Sequence, residues 1–179
     1  MISPPPSTDR LTQCGVRSRL RLIRVTTTGV QVRETATVDL PTSAEAAFGF
    51  MEDPASLVVL DDSIEIGVTL PGPKGAGEIQ AFVHRSPDGR LGIMHEVVEV
   101  EPGRRAVTRT LTSGYSSGGV LTVVPLGPDS CRLTQEIWAE LPAGVLVGVD
   151  AQLRHEYRTW LAELMRRLTA WAAHAPRCR

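Results

Sequence analysis

The C-terminal segment is the feature that most constrains the fold of this 179-residue chain. From Pro142 to about residue 173 no proline interrupts it. Its apolar residues recur at steps of three and four, the period of an amphipathic helix: Leu146, Val149, Leu153, Tyr157, Leu161, Leu164, Leu168 and Trp171. A helix of ~30 residues is ~45 Å long. Because so long an apolar stripe is unstable in water, the helix must lie across a sheet.

The segment before it, residues 63–141, is typical of a different structure. It consists of six short β-rich runs: "SIEIGVTL", "GEIQAFVHR", "RLGIMHEVVEVE", "RAVTRTLTS", "GVLTVVPL" and "CRLTQEIWAEL". The runs are separated by turn sequences: "PGPKGAG", "SPDG", "PGR", "GYSSG" and "GPDS". Because no helical segment lies between them, the pattern predicts an antiparallel meander of six strands.

The segment in front of the meander predicts one strand and two short helices. "RETATVDLP" alternates polar and apolar residues and indicates a strand. In "TSAEAAFGFMEDP", Thr42 or Ser43 can cap a helix that Asp53-Pro54 ends. "ASLVVLDD" predicts a second short helix.

The two ends of the chain differ in composition from the domain between them. We predict a flexible, arginine-rich extension at residues 1–33, the folded domain at 34–173 and a tail at 174–179. Residues 1–33 hold six arginines and one acidic residue, so the rest of the chain carries a net charge of −6. Within the extension, "VRSRLRLIRV" has the two-residue period of a strand. It is interpreted as a solvated tail or added edge strand, with a basic patch for an acidic partner as the alternative.

Several functional classes are disfavoured by composition and motifs. A net charge of −1 gives no general attraction to nucleic acid. The three cysteines have no metal-binding spacing, which indicates free thiols in a reducing cytoplasm. No apolar run approaches the ~20 residues of a membrane span, and the first residues do not form a secretory signal. Nucleotide-binding and zinc motifs are absent, so we expect no cofactor and no metal.

The order of these elements resembles the helix-grip fold of the START-like (SRPBCC) superfamily over residues 34–173. Three phrases resemble its polyketide cyclase/dehydrase branch: "ATVDLPTSAEAAFGFMEDPASL", "LPGPKGAGE" and "HEVVEVEPGRR". The resemblance implies an α+β fold in which a curved antiparallel sheet of about seven strands wraps around the long C-terminal helix. It also implies a cavity between sheet and helix that holds a small hydrophobic molecule.

The candidate cavity residues follow from strand alternation and the helix stripe. His95 shares a strand face with apolar neighbours and is either an acid–base group or a hydrogen-bonded wall histidine. Gln135 interrupts an apolar strand face. Arg109 lies on another strand, and alternation alone does not identify which face of that strand points inward. The full set is His95, Arg109, Tyr115, Gln135, Asp150, Leu153, Tyr157 and Leu161, with His95 and Tyr157 as the candidates for catalysis.

The loop "LPGPKGAGE" contains Lys74, the one lysine of the chain. It leads into a strand, whereas a phosphate-binding loop uses the N-terminus of a following helix, so we predict a solvated turn. Successive hairpins alternate between the two ends of an antiparallel sheet. In relatives that gate a ligand, the mouth lies at the end of "SPDG" and "GYSSG", so we expect it beside the loop at 113–119.

Three functions remain open. The leading hypothesis is a carrier or sensor of a small hydrophobic molecule such as a lipid, quinone or polyketide. The first alternative is a cofactor-independent polyketide cyclase/dehydratase that uses cavity acid–base residues. The second alternative is a protein-interaction module that uses the basic extension. The sequence leaves the oligomeric state open.

Overall fold

The computed structural model describes residues 26–174 and contains seven strands and three helices. In chain order they are β1 Val30–Leu40, α1 Ala44–Glu52, α2 Pro54–Leu60, β2 Ile64–Thr69, β3 Ile79–Ser86, β4 Gly89–Glu101, β5 Arg105–Thr110, β6 Ser116–Gly127, β7 Ser130–Leu141 and α3 Val149–His174. The predicted element order and α+β fold class are confirmed.

All seven strands form one antiparallel sheet in the order β1-β7-β6-β5-β4-β3-β2. The six-strand meander is confirmed, and β1 joins it by pairing with β7. Irregularities of register occur between Ile64 and Ile66, between Val97 and Glu99, and between Pro125 and Gly127. Because such bulges bend a strand and increase its twist, they favour a sheet with a concave and a convex face.

The first short helix begins at Ser43, one of its two predicted caps, and Asp53, which the sequence predicts only as the end of that helix, also caps the second. The Ser43 hydroxyl accepts from the Ala46 N–H at 3.2 Å, and the Asp53 carboxylate accepts from the Ala55 N–H at 2.9 Å. The second helix packs closely on β2. A Cβ atom added to Gly67 would lie 2.2 Å from the Pro54 carbonyl oxygen, so only glycine allows this approach.

The long helix begins later than its apolar period predicts. Residues 142–148 form a loop in which Gly144 and Gly148 have φ values of 93° and 98°. These left-handed conformations prevent the helix from extending back through residues 144–148. Leu146 is therefore 52% exposed in this loop and does not lie on the helix. From Val149 onward the prediction is confirmed.

Side-chain contacts hold α3 over β1 at one side of the sheet. The Trp160 indole N–H donates to Asp61 Oδ2 at 2.8 Å, and Arg158 Nε donates to Glu34 Oε2 at 2.7 Å. At the C-terminal end, the Trp171 ring stacks on Phe50 with centroids 3.9 Å apart. The helix therefore leaves the concave face of the central strands free.

The domain boundaries differ slightly from those predicted. β1 begins at Val30, which pairs with Leu141, so residues 30–33 belong to the sheet. His174 still lies in α3. The predicted strand at 16–25, Cys14 and Cys178 lie outside the described residues, whereas Cys131 is a buried free thiol.

The packing of α3 can be tested at Leu168, which is 0% exposed. We expect Leu168→Ala to lower the free energy of unfolding by about 2–5 kcal/mol, because it leaves a cavity in the core. Urea unfolding followed by circular dichroism measures the change. The control Val59→Ala removes a 66% exposed side chain and should change stability little. Equal losses in the two variants would contradict this packing.

Candidate functional site

A cavity of about 550 Å³ lies between the concave face of the sheet, α2 and the middle of α3. Most of its wall is apolar and comes from strands β2 to β6 and from α2: Leu57, Ile64, Phe82, Ile93, Val97, Ala106 and Leu121. The cavity exists because α3 packs over β1 and leaves the concave face of β3–β6 uncovered. This location is the one that the resemblance implies.

Polar side chains cross this apolar wall in a row. Gln80, His95 and Thr110 are directly opposite one another on β3, β4 and β5. Opposite residues in an antiparallel pair share a face, and all three line the cavity. Thr108 and Ser117 add two more hydroxyl groups.

His95 points into the cavity beside Phe82, with ring centroids 5.3 Å apart. Burial lowers the pKa of its imidazole to about 4, and the neighbouring His84 contributes in the same direction. His95 is therefore uncharged at neutral pH. Within residues 26–174 the structure shows no hydrogen bond to its imidazole ring, so its polar atoms are available to a ligand.

Two tyrosines meet where α3 passes the sheet. Tyr157 extends from α3 and Tyr115 from the loop between β5 and β6, and both line the cavity. They pack against the apolar cluster of Val32, Ala139 and Leu141. Burial raises the pKa of Tyr157 to about 12, and the nearby Tyr115 adds to this shift. Tyr157 thus stays protonated and can donate a hydrogen bond.

Gln135 reaches the cavity from β7, where its diagonal neighbour on β6 is the small residue Gly119. Its Nε2 donates to the Glu136 carbonyl at 3.1 Å. A Cβ atom added to Gly119 would lie 3.1 Å from the same Nε2, so a larger residue would crowd the amide. The structure thus brings together four of the predicted site residues: His95, Tyr115, Gln135 and Tyr157.

The other four predicted residues do not line this cavity. Arg109 lies on the opposite face of β5, where it pairs with Glu96 at 2.5 Å, because its neighbours Thr108 and Thr110 face inward. On α3, Leu153 packs on the cluster around Val32, and Leu161 is 2% exposed. Asp150 lies in the first turn of that helix, away from the cavity wall.

A polar group at the end of the cavity near the β2–β3 loop was missed by sequence reasoning. Gln80 Nε2 donates to the Glu52 carbonyl at 3.1 Å and to Glu78 Oε1 at 3.2 Å. Burial and the nearby Glu78 raise the pKa of Glu52. Only the register pairing of Gln80 with His95 would have revealed it, and register cannot be read from a single strand.

The loop that carries Lys74 closes this end. The Lys74 side chain is 85% exposed and lies 3.9 Å from Glu78 Oε2, while Gly75 lines the cavity. Lys74 itself is a solvent-exposed turn residue, as predicted, but its loop contributes Gly75 to the cavity wall.

Most of the exposed lining residues lie at the opposite end. Leu91 and Gly92 follow the β3–β4 turn, and Thr112 and Gly114 belong to the β5–β6 loop. At this end of the sheet the sequence also predicts the mouth. The loop predicted at 113–119 is shorter in the structure, because β6 begins at Ser116 and pairs with β7 from there.

Metal-binding clusters and membrane-spanning helices are both absent from the described residues. In residues 26–174, no three His, Cys, Asp or Glu side chains are grouped so that they can hold a metal ion. Over the same range, no helix is both long and apolar enough to cross a membrane.

Solved structures with a similar fold include three proteins of low sequence identity to this chain. The Zhui aromatase/cyclase from Streptomyces sp. R1128 matches with a TM-score of 0.66 and 13% identity, over 81% of this chain and 95% of its own. Norcoclaurine synthase from Thalictrum flavum, in complex with dopamine and hydroxybenzaldehyde, matches with a TM-score of 0.61 and 13% identity, over 97% and 100%. A START superfamily protein from Mycobacterium smegmatis matches with a TM-score of 0.59 and 18% identity, over 76% and 96%.

The chain has the helix-grip fold. The sequence-based resemblance to START-like, polyketide cyclase-type proteins is thereby confirmed at the level of fold. No protein-family model and no curated protein sequence matches the chain. The helix-grip fold determines where the cavity lies. The identity of the residues that line it is specific to this chain.

The environment of His95 predicts that the free energy of unfolding depends on pH. Its folded pKa of about 4 lies below the ordinary value of 6.5, so the unfolded state binds the proton more readily between these values. Stability should therefore fall as pH is lowered from 7 to 5. We expect wild type to lose about 1–2 kcal/mol more than His95→Gln over this interval, measured by urea unfolding at each pH. Parallel pH profiles for the two proteins would contradict a neutral, buried His95.

Proposed function

We propose that this protein binds a small, mainly apolar molecule in the cavity between the sheet and α3. The observation that carries the proposal is the cavity itself, with a volume of about 550 Å³ and walls that are mostly apolar. Sites for small molecules commonly measure about 300–1,000 Å³ and combine apolar walls with a few placed polar groups.

The polar groups indicate the chemistry of the ligand. We propose that His95, Tyr115, Gln135 and Tyr157 contact it. His95 is uncharged at neutral pH, and Tyr157 remains protonated. Neutral donors and acceptors suit hydroxyl and carbonyl oxygens better than a fully charged group, because they offer little compensation for desolvating a charge. A lipid, a quinone or a polyketide has this character.

Binding is favoured over catalysis by the same two groups. A general base works best when its pKa is near the operating pH, and a His95 pKa of about 4 is too low for this task. Tyr157, with a pKa of about 12, is a donor of hydrogen bonds and a poor base. With these pKa values, the site is better suited to hydrogen-bonding oxygen atoms than to moving protons.

A Trp substitution inside the cavity tests the binding proposal. Native mass spectrometry of freshly purified wild type, and of protein incubated with lipids, quinones and aromatic polyketides, should show a bound small molecule. Thr110→Trp should reduce occupancy at least tenfold, since its indole would fill the cavity from the inward face of β5.

The matched control is Arg109→Trp, which places the same side chain on the next residue but on the opposite face. It should retain wild-type occupancy and lose little stability, because an exposed ion pair contributes about 0–1 kcal/mol. Equal occupancy in the two variants, or no bound molecule and no thermal shift with any ligand tested, would refute binding in this cavity.

A cofactor-independent cyclase or dehydratase is the second candidate function. The observation in its favour is that His95 and Tyr157 line the same cavity, so one substrate can contact both. Two of the solved structures with this fold are named as an aromatase/cyclase and a synthase. A bound anionic intermediate would favour the protonated imidazole and raise its pKa toward neutrality.

The enzyme hypothesis predicts turnover of a poly-β-ketone substrate. We expect His95→Gln or Tyr157→Phe to lower kcat at least a hundredfold while ligand occupancy in native mass spectrometry stays within threefold. Occupancy without turnover in the wild type would leave the protein as a carrier or sensor and reject this candidate.

A further inference from the structure

A second concave region lies on α3, separated from the ligand cavity by one side chain. This α3 groove has a volume of about 490 Å³ and lies between α3 and the loop that joins α2 to β2. Trp160 lines both the groove and the cavity. Leu60 and Leu164, each 2% exposed, supply an apolar floor. Whatever fills the groove therefore covers the Trp160 wall of the cavity.

The rim of the α3 groove is acidic. Four carboxylates and one arginine line it: Asp61, Asp62, Glu156, Glu163 and Arg167. Arg167 pairs with Asp62 and Glu163. Asp61 accepts from Trp160, and Glu156 accepts from Gln152. Neither of these two has an arginine or lysine partner in the described part of the chain, so the rim carries uncompensated negative charge.

The first described residue is held beside the loop that precedes α3. The Thr26 N–H donates to the Val145 carbonyl at 2.8 Å, and the Gly144 N–H donates to the Thr26 carbonyl at 2.9 Å. These bonds fix residue 26 just before the start of α3. Glu156 is seven residues into that helix, or ~10 Å along its axis. A ten-residue extended segment spans ~33 Å, so residues 16–25 are long enough to follow the groove.

The charges of the two parts are complementary. Residues 1–25 contain five arginines and one acidic residue, whereas residues 26–174 contain 12 basic and 19 acidic residues. The sequence "VRSRLRLIRV" at 16–25 alternates arginine with apolar residues. An extended segment of this pattern presents basic and apolar side chains on opposite faces. That pattern matches an acidic rim beside an apolar floor.

We propose that residues 16–25 dock in the α3 groove of the same chain. Covalent attachment favours this contact over binding to a separate molecule, because a short linker gives an effective concentration of about a millimolar. This docking does not depend on the proposed ligand-binding function.

The full chain offers a natural position for a probe. Cys14 lies just before the segment, Cys131 is buried, and Cys178 can be removed as Cys178→Ser. With a nitroxide on Cys14, the NMR signal of the Trp160 indole N–H should lose more than half its intensity relative to the reduced label. Glu156→Arg should restore at least half of that loss, since it reverses charge at the rim. Half-molar salt should act in the same direction.

The matched control is Glu45→Arg, which makes the same charge change in the first turn of α1, away from the groove. It should leave the broadening unchanged. No broadening in the full chain, or equal effects of the two variants, would overturn the proposal. Isotope-labelled protein without nitroxide, mixed with unlabelled protein that carries it, detects contact between molecules. Broadening in that mixture would assign the segment to a second copy and also overturn docking in the same chain.

Vesicles of anionic phospholipid test whether the basic segment prefers a negatively charged membrane surface to the acidic rim of the groove. Broadening that persists with vesicles supports docking in the groove, whereas release of the segment by vesicles at physiological salt would show that it prefers a membrane surface and overturn the proposal. Ligand occupancy is measured on the same samples. Loss of ligand binding with intact broadening refutes only the proposed function, and the reverse result refutes only the docking.

Discussion

The position of α3 on the sheet is the constraint on which the rest of the structure depends. The helix rests on β1 and is held there by Glu34, Asp61 and Phe50, which contact its side chains from three different elements. Were the helix to sit over the middle of the sheet, its leucines would fill the space where the cavity lies. Its displacement to one side leaves that space open. The apolar surface that lines the space is then not covered by protein, which is unfavourable in water, and a ligand can cover it.

Beside this apolar surface the cavity has neutral polar groups, while the carboxylates Glu52 and Glu78 line its end near the β2–β3 loop. Burial disfavours the charged form of an ionisable group, so it lowers the pKa of His95 and raises that of Tyr157. Charged side chains of the central strands are instead paired on the outer face, as Arg109 is with Glu96. This arrangement of charge supports the proposal that the cavity binds a neutral oxygen-bearing molecule.

Predictions from sequence succeeded where a local pattern suffices. Period and turn residues identified each strand and helix within residues 26–174, and Ser43 was one of the two predicted caps because capping involves neighbours in sequence. The start of α3 was misplaced because two glycines adopt left-handed conformations that an apolar period does not reveal. For the site, alternation left the face of Arg109 open, since it gives two faces of a strand and does not say which one is concave.

The sequence by itself therefore determined the elements, their order and, through resemblance, the helix-grip fold. It also determined the charge contrast between residues 1–25 and the remainder of the chain. Tertiary structure alone decided which residues share the cavity: Gln80, His95 and Thr110 are far apart in sequence and meet through strand register. It also decided which part of α3 packs in the core and which part borders the cavity. Register and helix placement arise from contacts between distant segments, whose energies no single segment contains.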